Sequence, residues 1–273
     1  ARNDLGFRCV EDHHGRQCLL YRHREFYVML WHARQGFISG RAAIDAGAAF
    51  TPASLSPNLW IEPGNGGLFQ TIDGTTTAAT ATNDVVGYAP DQSGNGFHIS
   101  AAADDTTRPT LQGVGTFPYL SFDGSNDLLR RTAALGLYAA GACSVFVALR
   151  SNSNIASSIV IGEGDSASTN SIYELIGAHS TTATSGAGLI RNSANTTLLA
   201  SSQALQTNVF NASDHVYGVI DNGTAVTPYL DGVAGSGFTY TARIGSLTQD
   251  RTALGGLLRI SASSWWAGRI YGV

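Results

Sequence analysis

From Cys143 to the end of the sequence, apolar and polar residues alternate in short segments separated by Gly, Asn, Asp and Ser. Alternation with a period of two is typical of strands that bury one face. The segments predicted as strands are SVFVALR (144–150), SSIVIGE (157–163), IYELIGAH (172–179), AGLIRN (187–192), TLLASS (197–202), HVYGVID (215–221), TPYLDGV (227–233), YTARIGSL (240–247), LLRISAS (257–263) and WWAGRIYGV (265–273).

No helical periodicity separates these segments, and turn residues mark the boundaries between them. Asp221-Asn222-Gly223 and Asp231-Gly232 have the composition of tight turns. Closely spaced strands without intervening helices indicate an all-β fold, an antiparallel β-sandwich or jelly roll.

The stretch YLSFDGSNDLL (119–129) carries the strongest turn signal. An apolar alternation runs into Asp123-Gly124 and is followed by Leu128-Leu129. Because Asp-Gly supplies the positive φ that a tight turn needs, this stretch predicts a β-hairpin.

Residues 1–50 differ in composition from the rest and are predicted to form an N-terminal arm, followed by a sandwich domain over residues 51–273. Within the arm, residues 17–35 show i, i+3, i+4, i+7 spacing and predict an amphipathic, basic helix that ends at Gly36. A membrane-surface or partner helix is one interpretation. Packing on its own domain or on sister copies is the favoured one. Gly36–Ala53 is predicted to be a linker.

Cys9 and Cys18 lie close enough in sequence to form a disulfide, and the sequence does not decide whether they do. Together with His13, His14 and His23 they match no standard zinc spacing. The sequence therefore assigns no metal site and no cofactor.

Composition narrows the functional classes. The chain of 273 residues is 43% hydrophobic but only 13% charged, with a net charge of −4, and all 16 basic residues are Arg. This balance argues against nucleic-acid binding, and no apolar run reaches the roughly 18 residues of a membrane span. A surface rich in Ser, Thr, Asn and Gly suits extracellular or virion proteins and packing against identical copies.

Over roughly residues 55–273 the chain resembles laminin-G-like domains of the concanavalin A-like lectin/glucanase superfamily. This resemblance implies a jelly roll. The motifs that carry it are FDG (122–124) with NDL (126–128), SVFV (144–147), YLDG (229–232), RIG (243–245) and WAGRIY (266–271).

Further segments resemble the version of this domain found in bacteriophage tail and virion proteins. They are FTPASL (50–55), LFQTIDGTT (68–76), DQSGNG (91–96), TRPTL (107–111) and YLSFDGSNDLL (119–129).

The phage resemblance implies a non-enzymatic virion structural protein, a tail, fibre or capsid-decoration component exposed on the particle. Its expected partners are its own copies, other virion proteins and host surface glycans, and its expected location is the virion surface or the extracellular space. The alternative is a lectin-like carbohydrate-binding module of a larger secreted bacterial protein. A glycoside hydrolase of the same superfold is a second alternative.

The carboxylates of the sequence argue against the hydrolase. Glucanases of this superfamily pair their glutamates in E-x-D-x-x-E, and this chain has no such pattern. Glu163-Gly164-Asp165 brings two carboxylates close, but the glycine-rich context predicts a solvated loop. We therefore predict no catalytic residue.

Sugar recognition requires aromatic platforms and hydrogen-bonding groups on a rigid sandwich. The candidates for ligand binding are Trp265, Asn126 and Tyr119. Alternation sends one residue of the Trp265-Trp266 pair into the core, so at most one of them is a platform. Asp123 and Asp127 have the oxygen chemistry of a Ca²⁺ site, but turn formation is the favoured role.

Overall fold

The structure is a computed structural model that describes residues 5–12, 15–22, 52–102, 105–152, 156–191, 196–241 and 248–273. Over these residues it has short 3₁₀ helices at Pro52–Leu55, Pro63–Asn65 and Asp105–Thr107. The strands are β1 (Leu5–Asp12), β2 (Gly15–Arg22), β3 (Tyr88–Ala89), β4 (Ile99–Ser100), β5 (Thr110–Gln112), β6 (Tyr119–Asp123), β7 (Leu129–Arg131), β8 (Cys143–Ser151), β9 (Ile159–Gly164), β10 (Ile172–Ala178), β11 (Gly186–Arg191), β12 (Thr197–Leu199), β13 (His215–Asp221), β14 (Ala225–Leu230), β15 (Val233–Ala234), β16 (Phe238–Thr239), β17 (Arg251–Leu254), β18 (Leu257–Leu258), β19 (Ala262–Ser263) and β20 (Ala267–Gly272).

Two antiparallel sheets form a sandwich. The first sheet has the strand order β12-β11-β10-β9-β17-β7-β4-β3, and the second has β15-β14-β13-β8-β20-β6-β5 with β16 paired to β14. Neighbouring strands are often far apart in sequence, as in the pairing of β20 with both β6 and β8. The predicted all-β antiparallel sandwich is confirmed.

The core lies between the sheets and is rich in large side chains. Phe122 from β6 and Ile270 from β20 are buried in it, as the alternation predicts. Trp266 is fully buried and packs edge-to-face on Phe210 with 5.4 Å between ring centroids. Aromatic pairs of this kind add stability beyond their buried area.

The predicted hairpin at 119–129 is wrong. Its two arms, β6 and β7, belong to different sheets: β6 pairs with β5 and β20, and β7 pairs with β4 and β17. Gly124 does have the positive φ expected of the turn, 80°. Because Phe122 and Leu129 face the same core from opposite sheets, the chain turns a corner here instead of pairing with itself.

Two further strands depart from the prediction. Residues 257–263 form the hairpin β18–β19, with a turn closed by the amide of Arg259 donating to the Ser261 carbonyl at 3.2 Å. Ile260 at the tip is 57% exposed, so the run of apolar residues does not continue through a core. Of the predicted strand 240–247, residues 240 and 241 lie outside any strand and the others lie outside the described residues.

The first described residues form a two-stranded hairpin, β1–β2, in which Cys9 and Cys18 are direct cross-strand partners. The helix predicted over residues 17–35 is therefore wrong for residues 17–22, which belong to β2. Pairing with a partner strand overrides a helical periodicity in so short a segment. The remainder of the predicted helix lies outside the described residues.

The two ends of the sandwich meet. Ile61, ahead of the first strand of the sandwich, exchanges two backbone hydrogen bonds with Val273, of 3.0 and 2.9 Å. The amide of Gln92 also donates to the Trp60 carbonyl at 2.8 Å. The segment before β3 is thus held against the last strand.

Candidate functional site

The two sheets differ in how their outer faces are covered. In the first sheet β9 and β10 are buried along their whole length, on both faces. The outer side of this sheet packs under the β18–β19 hairpin, with Leu257 against Ile159 and Ile172. In the second sheet, by contrast, β6, β8 and β20 alternate between buried and half-buried residues. The second sheet therefore keeps an open outer face.

The register of four strands arranges the open face in rows. Arg269 lies between Arg150 on β8 and Ser121 on β6, and Ser121 lies opposite Thr110 on β5. In the next row Tyr119 lies opposite Gln112. We call this surface the tyrosine–arginine face and define it as Thr110, Gln112, Tyr119, Ser121, Arg150, Arg269 and Tyr271.

Two tyrosines form the aromatic part of the face. The ring centroids of Tyr119 and Tyr271 lie 5.3 Å apart, at an interplanar angle of 59°. The guanidinium carbon of Arg269 lies 4.8 Å from the Tyr119 ring centroid. Stacking of this kind holds both side chains against the sheet.

Asp214, in the loop before β13, provides the acidic group beside the face. The Tyr271 hydroxyl donates to its Oδ1 at 2.8 Å, and Arg150 Nη1 lies 3.7 Å from its Oδ2. Burial is the main cause that raises the pKa of Tyr271, and the hydrogen bond with Tyr271 is the main cause that raises the pKa of Arg269. At neutral pH the tyrosine is a neutral donor and the arginine a cation.

Polar groups and a loop extend the surface beyond the tyrosines. Gln112 Nε2 donates to Thr110 Oγ1 at 3.1 Å and to Asn83 Oδ1 at 2.8 Å. The β5–β6 turn carries Val114 and Phe117, which are 41% and 51% exposed. Aromatic rings, hydroxyls, an amide and guanidinium groups thus meet on one rigid surface.

The structure separates the three predicted ligand-binding residues. Tyr119 lies on the tyrosine–arginine face. Trp265 is half-buried and packs against Leu128 and Leu258, a cluster that belongs to the first sheet and its covering hairpin. Asn126 lies in the turn after β6, where its backbone N–H donates to Asp123 Oδ1. The side-chain Oδ1 of Asn126 is buried without a hydrogen-bond partner among the described residues.

Sequence reasoning missed Arg150, Arg269 and Tyr271. The alternation in ALRS and AGRIYG does place all three on one side of their strands. What the sequence lacks is the pairing of β20 between β6 and β8, which brings them beside Tyr119.

Asp123 and Asp127, which have the oxygen chemistry of calcium ligands, form hydrogen bonds within the turn after β6. Asp123 accepts hydrogen bonds from Ser125 and Asn126, and Asp127 accepts one from the Asp123 amide. Burial raises the pKa of Asp127 to about 7. Over the described residues, no group of three His, Cys, Asp or Glu side chains is placed to hold a metal ion.

Glu163 was predicted in a solvated loop, and this is wrong. It is fully buried in β9, where its carboxylate accepts hydrogen bonds from the amides of Gly136 and Leu137 at 2.9 and 3.0 Å. These two bonds fasten the loop before β8 to the first sheet. Satisfaction by backbone donors is what allows a carboxylate to be buried there.

Glu174 on β10 points away from the core, because its neighbours Tyr173 and Leu175 face into it. It is buried under the β18–β19 hairpin, and burial raises its pKa to about 8 against the attraction of Arg259 and Arg191. Glu163 shares the inner face with Tyr173, its cross-strand partner. The two glutamates therefore lie on opposite faces of one sheet.

Apart from the tyrosine–arginine face, a concave region lies between the edges of the two sheets. It is an open cleft of about 400 Å³ whose described lining runs over residues 196–198 and 238–241. The residues next to this lining in the sequence, 192–195 and 242–247, lie outside the described residues, and we assign no site there.

Comparison with known proteins gives structural neighbours only. No protein-family description matches the chain, and no curated protein does. A Ruminococcus gnavus sialidase carbohydrate-binding module, CBM40, bound to α2,3-sialyllactose matches at a TM-score of 0.40 and 12% identity, over 56% of this chain and 86% of that one.

Two enzymes also match. A Trypanosoma rangeli sialidase matches at a TM-score of 0.41 and 12% identity, over 73% of this chain and 31% of that one. A GH54 α-L-arabinofuranosidase matches at a TM-score of 0.35 and 13% identity, over 69% of this chain and 46% of that one. The chain thus spans less than half of either enzyme chain. At these TM-scores the likenesses assign no function, and the case for one rests on the side chains above.

Helices long and apolar enough to cross a bilayer do not occur in the described part of the chain.

Proposed function

We propose that this chain is a non-catalytic carbohydrate-binding module and that the tyrosine–arginine face is its sugar-binding surface. The observation that carries the proposal is the pair Tyr119 and Tyr271, which lie side by side and stay partly exposed on the outer face of the second sheet in the described structure. A sugar ring has an apolar C–H face and a hydroxyl rim. Tyrosine rings pack against the C–H face. The hydroxyls of Ser121 and Thr110 and the side-chain amide of Gln112 can hydrogen-bond the hydroxyl rim.

Rigidity favours this surface as a binding site. Its residues lie on four hydrogen-bonded strands, with buried Leu120, Leu149 and Ile270 beneath them. Side chains fixed in this way lose little conformational freedom when a ligand binds. Shallow, multi-residue contact on such a platform suits an oligosaccharide.

The carboxylate arrangement supports binding instead of glycoside cleavage. Glycosidases place two carboxyl groups on either side of one glycosidic bond. Glu163 and Glu174 cannot do so, because they lie on opposite faces of the first sheet. On the tyrosine–arginine face the nearby Asp214 has no second carboxylate opposite it among the described residues of the face.

A virion location and virion partners stay predictions from the sequence. Sugar binding is common to the phage-type adhesin and to the secreted module, so the proposal does not choose between them.

The test is a glycan panel on the 273-residue chain, followed by calorimetric titration of a glycan that binds. We expect Tyr119→Ala and Tyr271→Ala each to weaken binding at least about tenfold, as expected for loss of a central aromatic contact. Phe97→Ala is the matched control, since Phe97 also lies under an arginine, Arg131, at 4.3 Å, but beside the first sheet.

Thermal unfolding of each variant shows whether it is folded. Glycan binding that survives both tyrosine substitutions, or a panel in which no glycan binds, contradicts the proposal.

A further inference from the structure

Two arginines occupy neighbouring positions in one row of the tyrosine–arginine face. Arg150 and Arg269 are direct cross-strand partners, and both leave the sheet on its open side. Like charges placed directly opposite each other destabilise a sheet. Nothing in the packing requires them, because the side chains beneath the sheet, Leu149 and Ile270, complete the core.

Most side chains around the pair carry no charge: Thr110, Gln112, Tyr119 and Ser121 on β5 and β6, and Val216 on β13. Two carboxylates lie at the margin of the face. Asp214 lies near Arg150, and Asp123, at the end of β6, accepts hydrogen bonds from the amides of its own turn.

The face itself carries two arginines and no carboxylate, on a chain whose net charge is −4, and its two nearest carboxylates, Asp214 and Asp123, lie at its margin. Asp214 lies near Arg150 and accepts the Tyr271 hydroxyl. Arg269 forms no direct ion pair with a described carboxylate: Tyr271 hydrogen-bonds it, Asp214 attracts it without a direct contact, and its guanidinium rests on the Tyr119 ring. Its charge is therefore open to a ligand, and at the same time its position is fixed by the ring that a sugar would contact.

We infer that the tyrosine–arginine face selects acidic saccharides, with a sugar carboxylate bound by Arg269 and Arg150 while the sugar ring lies on Tyr119 and Tyr271. This inference rests on the proposed function and names its ligand class. A guanidinium matches a carboxylate with two parallel hydrogen bonds. Because the whole chain is acidic, a preference for an anion has to come from this local pair and not from the overall field.

The experiment compares uronic-acid oligosaccharides, such as oligogalacturonate, with their methyl esters, which have the same rings without the charge. Calorimetric titration gives the affinity ratio of acid to ester. We expect the wild-type chain to prefer the acid by at least about tenfold, and the preference to fall as salt screens the charges.

Arg269→Gln is expected to bring the ratio of acid to ester affinity close to one. The ratio isolates the charge, because any loss of packing on Tyr119 affects the acid and the ester alike. Arg269→Lys keeps the charge without the planar fork, so it is expected to recover only part of the preference. Arg131→Gln is the matched control: it removes the same charge from another arginine that lies over an aromatic ring, and its ratio should equal that of the wild type.

Four outcomes overturn the inference. Equal affinity for acid and ester does so and leaves sugar binding intact. If no uronic oligosaccharide binds, the inference is also overturned. The proposed function is then overturned only if neutral glycans fail to bind too. Binding to sulfated sugars but not to uronic ones, or equal binding to polyacrylate, assigns the charge to another ligand or to non-specific attraction.

Discussion

Arg150 and Arg269 lie directly opposite each other on β8 and β20. The pair repels, so it carries a stability cost that a double-mutant cycle can isolate. We expect Arg150→Gln and Arg269→Gln to show a coupling of roughly 0.2–1 kcal/mol. The coupling energy should be unfavourable, which means that each arginine destabilises the chain less when the other arginine is absent. Urea unfolding of the four proteins at low and high salt measures it. A favourable coupling, or one insensitive to salt, would contradict electrostatic repulsion between the two guanidinium groups.

Glu174 makes stability depend on pH. Its pKa is raised from its ordinary value of 4.5 to about 8 by burial, so the folded chain holds the proton more tightly than the unfolded chain does. Its contribution is complete below pH 4.5 and is lost as pH rises through about 8. Each unit of difference is worth about 1.4 kcal/mol.

The substitution that tests this is Glu174→Gln, which cannot ionise. We measure its free energy of unfolding from pH 5 to pH 9, in steps of about one pH unit. The value for the variant should fall less with rising pH than the value for the wild type. Asp73→Asn is the control, since Asp73 is exposed and hydrogen bonds lower its pKa below the ordinary value of 3.8. Its titration therefore lies below the measured range, and this variant should keep the full decline of the wild type. Parallel curves for wild type and Glu174→Gln would show that the carboxyl is not protonated in the folded chain.

Gly124 turns the chain from one sheet to the other, and two different effects favour glycine there. Its φ is +80°, and a Cβ would lie 2.6 Å from the Cβ of Ala267. Gly115, with φ +86°, has open space around the same position. We expect Gly115→Ala to cost about 1–2 kcal/mol from backbone strain alone and Gly124→Ala to cost clearly more. Equal losses in denaturant unfolding would show that β20 moves aside.

Trp266 fills the core without using its polar atom. It is fully buried, and its Nε1 has no hydrogen-bond partner among the described residues. Trp266→Ala should lower the free energy of unfolding by about 3–5 kcal/mol, because it leaves a cavity in the core. Trp266→Phe should cost much less, because no hydrogen bond is lost. A large loss for Trp266→Phe, measured by thermal or urea unfolding, would indicate a partner for the indole N–H.

Local pattern was enough for the class of fold but not for the pairing of its strands. Alternation predicts Phe122 and Ile270 in the core, and the structure buries both. It failed at the corner after Asp123, because apolar residues on both sides of an Asp-Gly turn look the same whether the arms pair or cross between sheets. Glu163 was missed for a related reason, since its burial depends on amides at Gly136 and Leu137.

The candidate site shows the same limit. Arg150 and Arg269 come from distant parts of the chain, and only the register of β8 with β20 makes them neighbours. Trp265, the more conspicuous residue in the sequence, packs over Leu128 and Leu258. A single sequence ranks residues by type, whereas a binding face is made by tertiary pairing.

The bond between Ile61 and Val273 has a practical consequence for engineering this sandwich. Since Ile61 and Val273 lie side by side, a short linker can join Val273 to the segment that begins near Ile61, while the chain is reopened at an exposed tip such as Gly115. Such a circular permutant would keep every strand pair of the two large sheets. Its new ends would lie at Gly115, in the turn that leads into Tyr119, so immobilising the protein through them would crowd the tyrosine–arginine face.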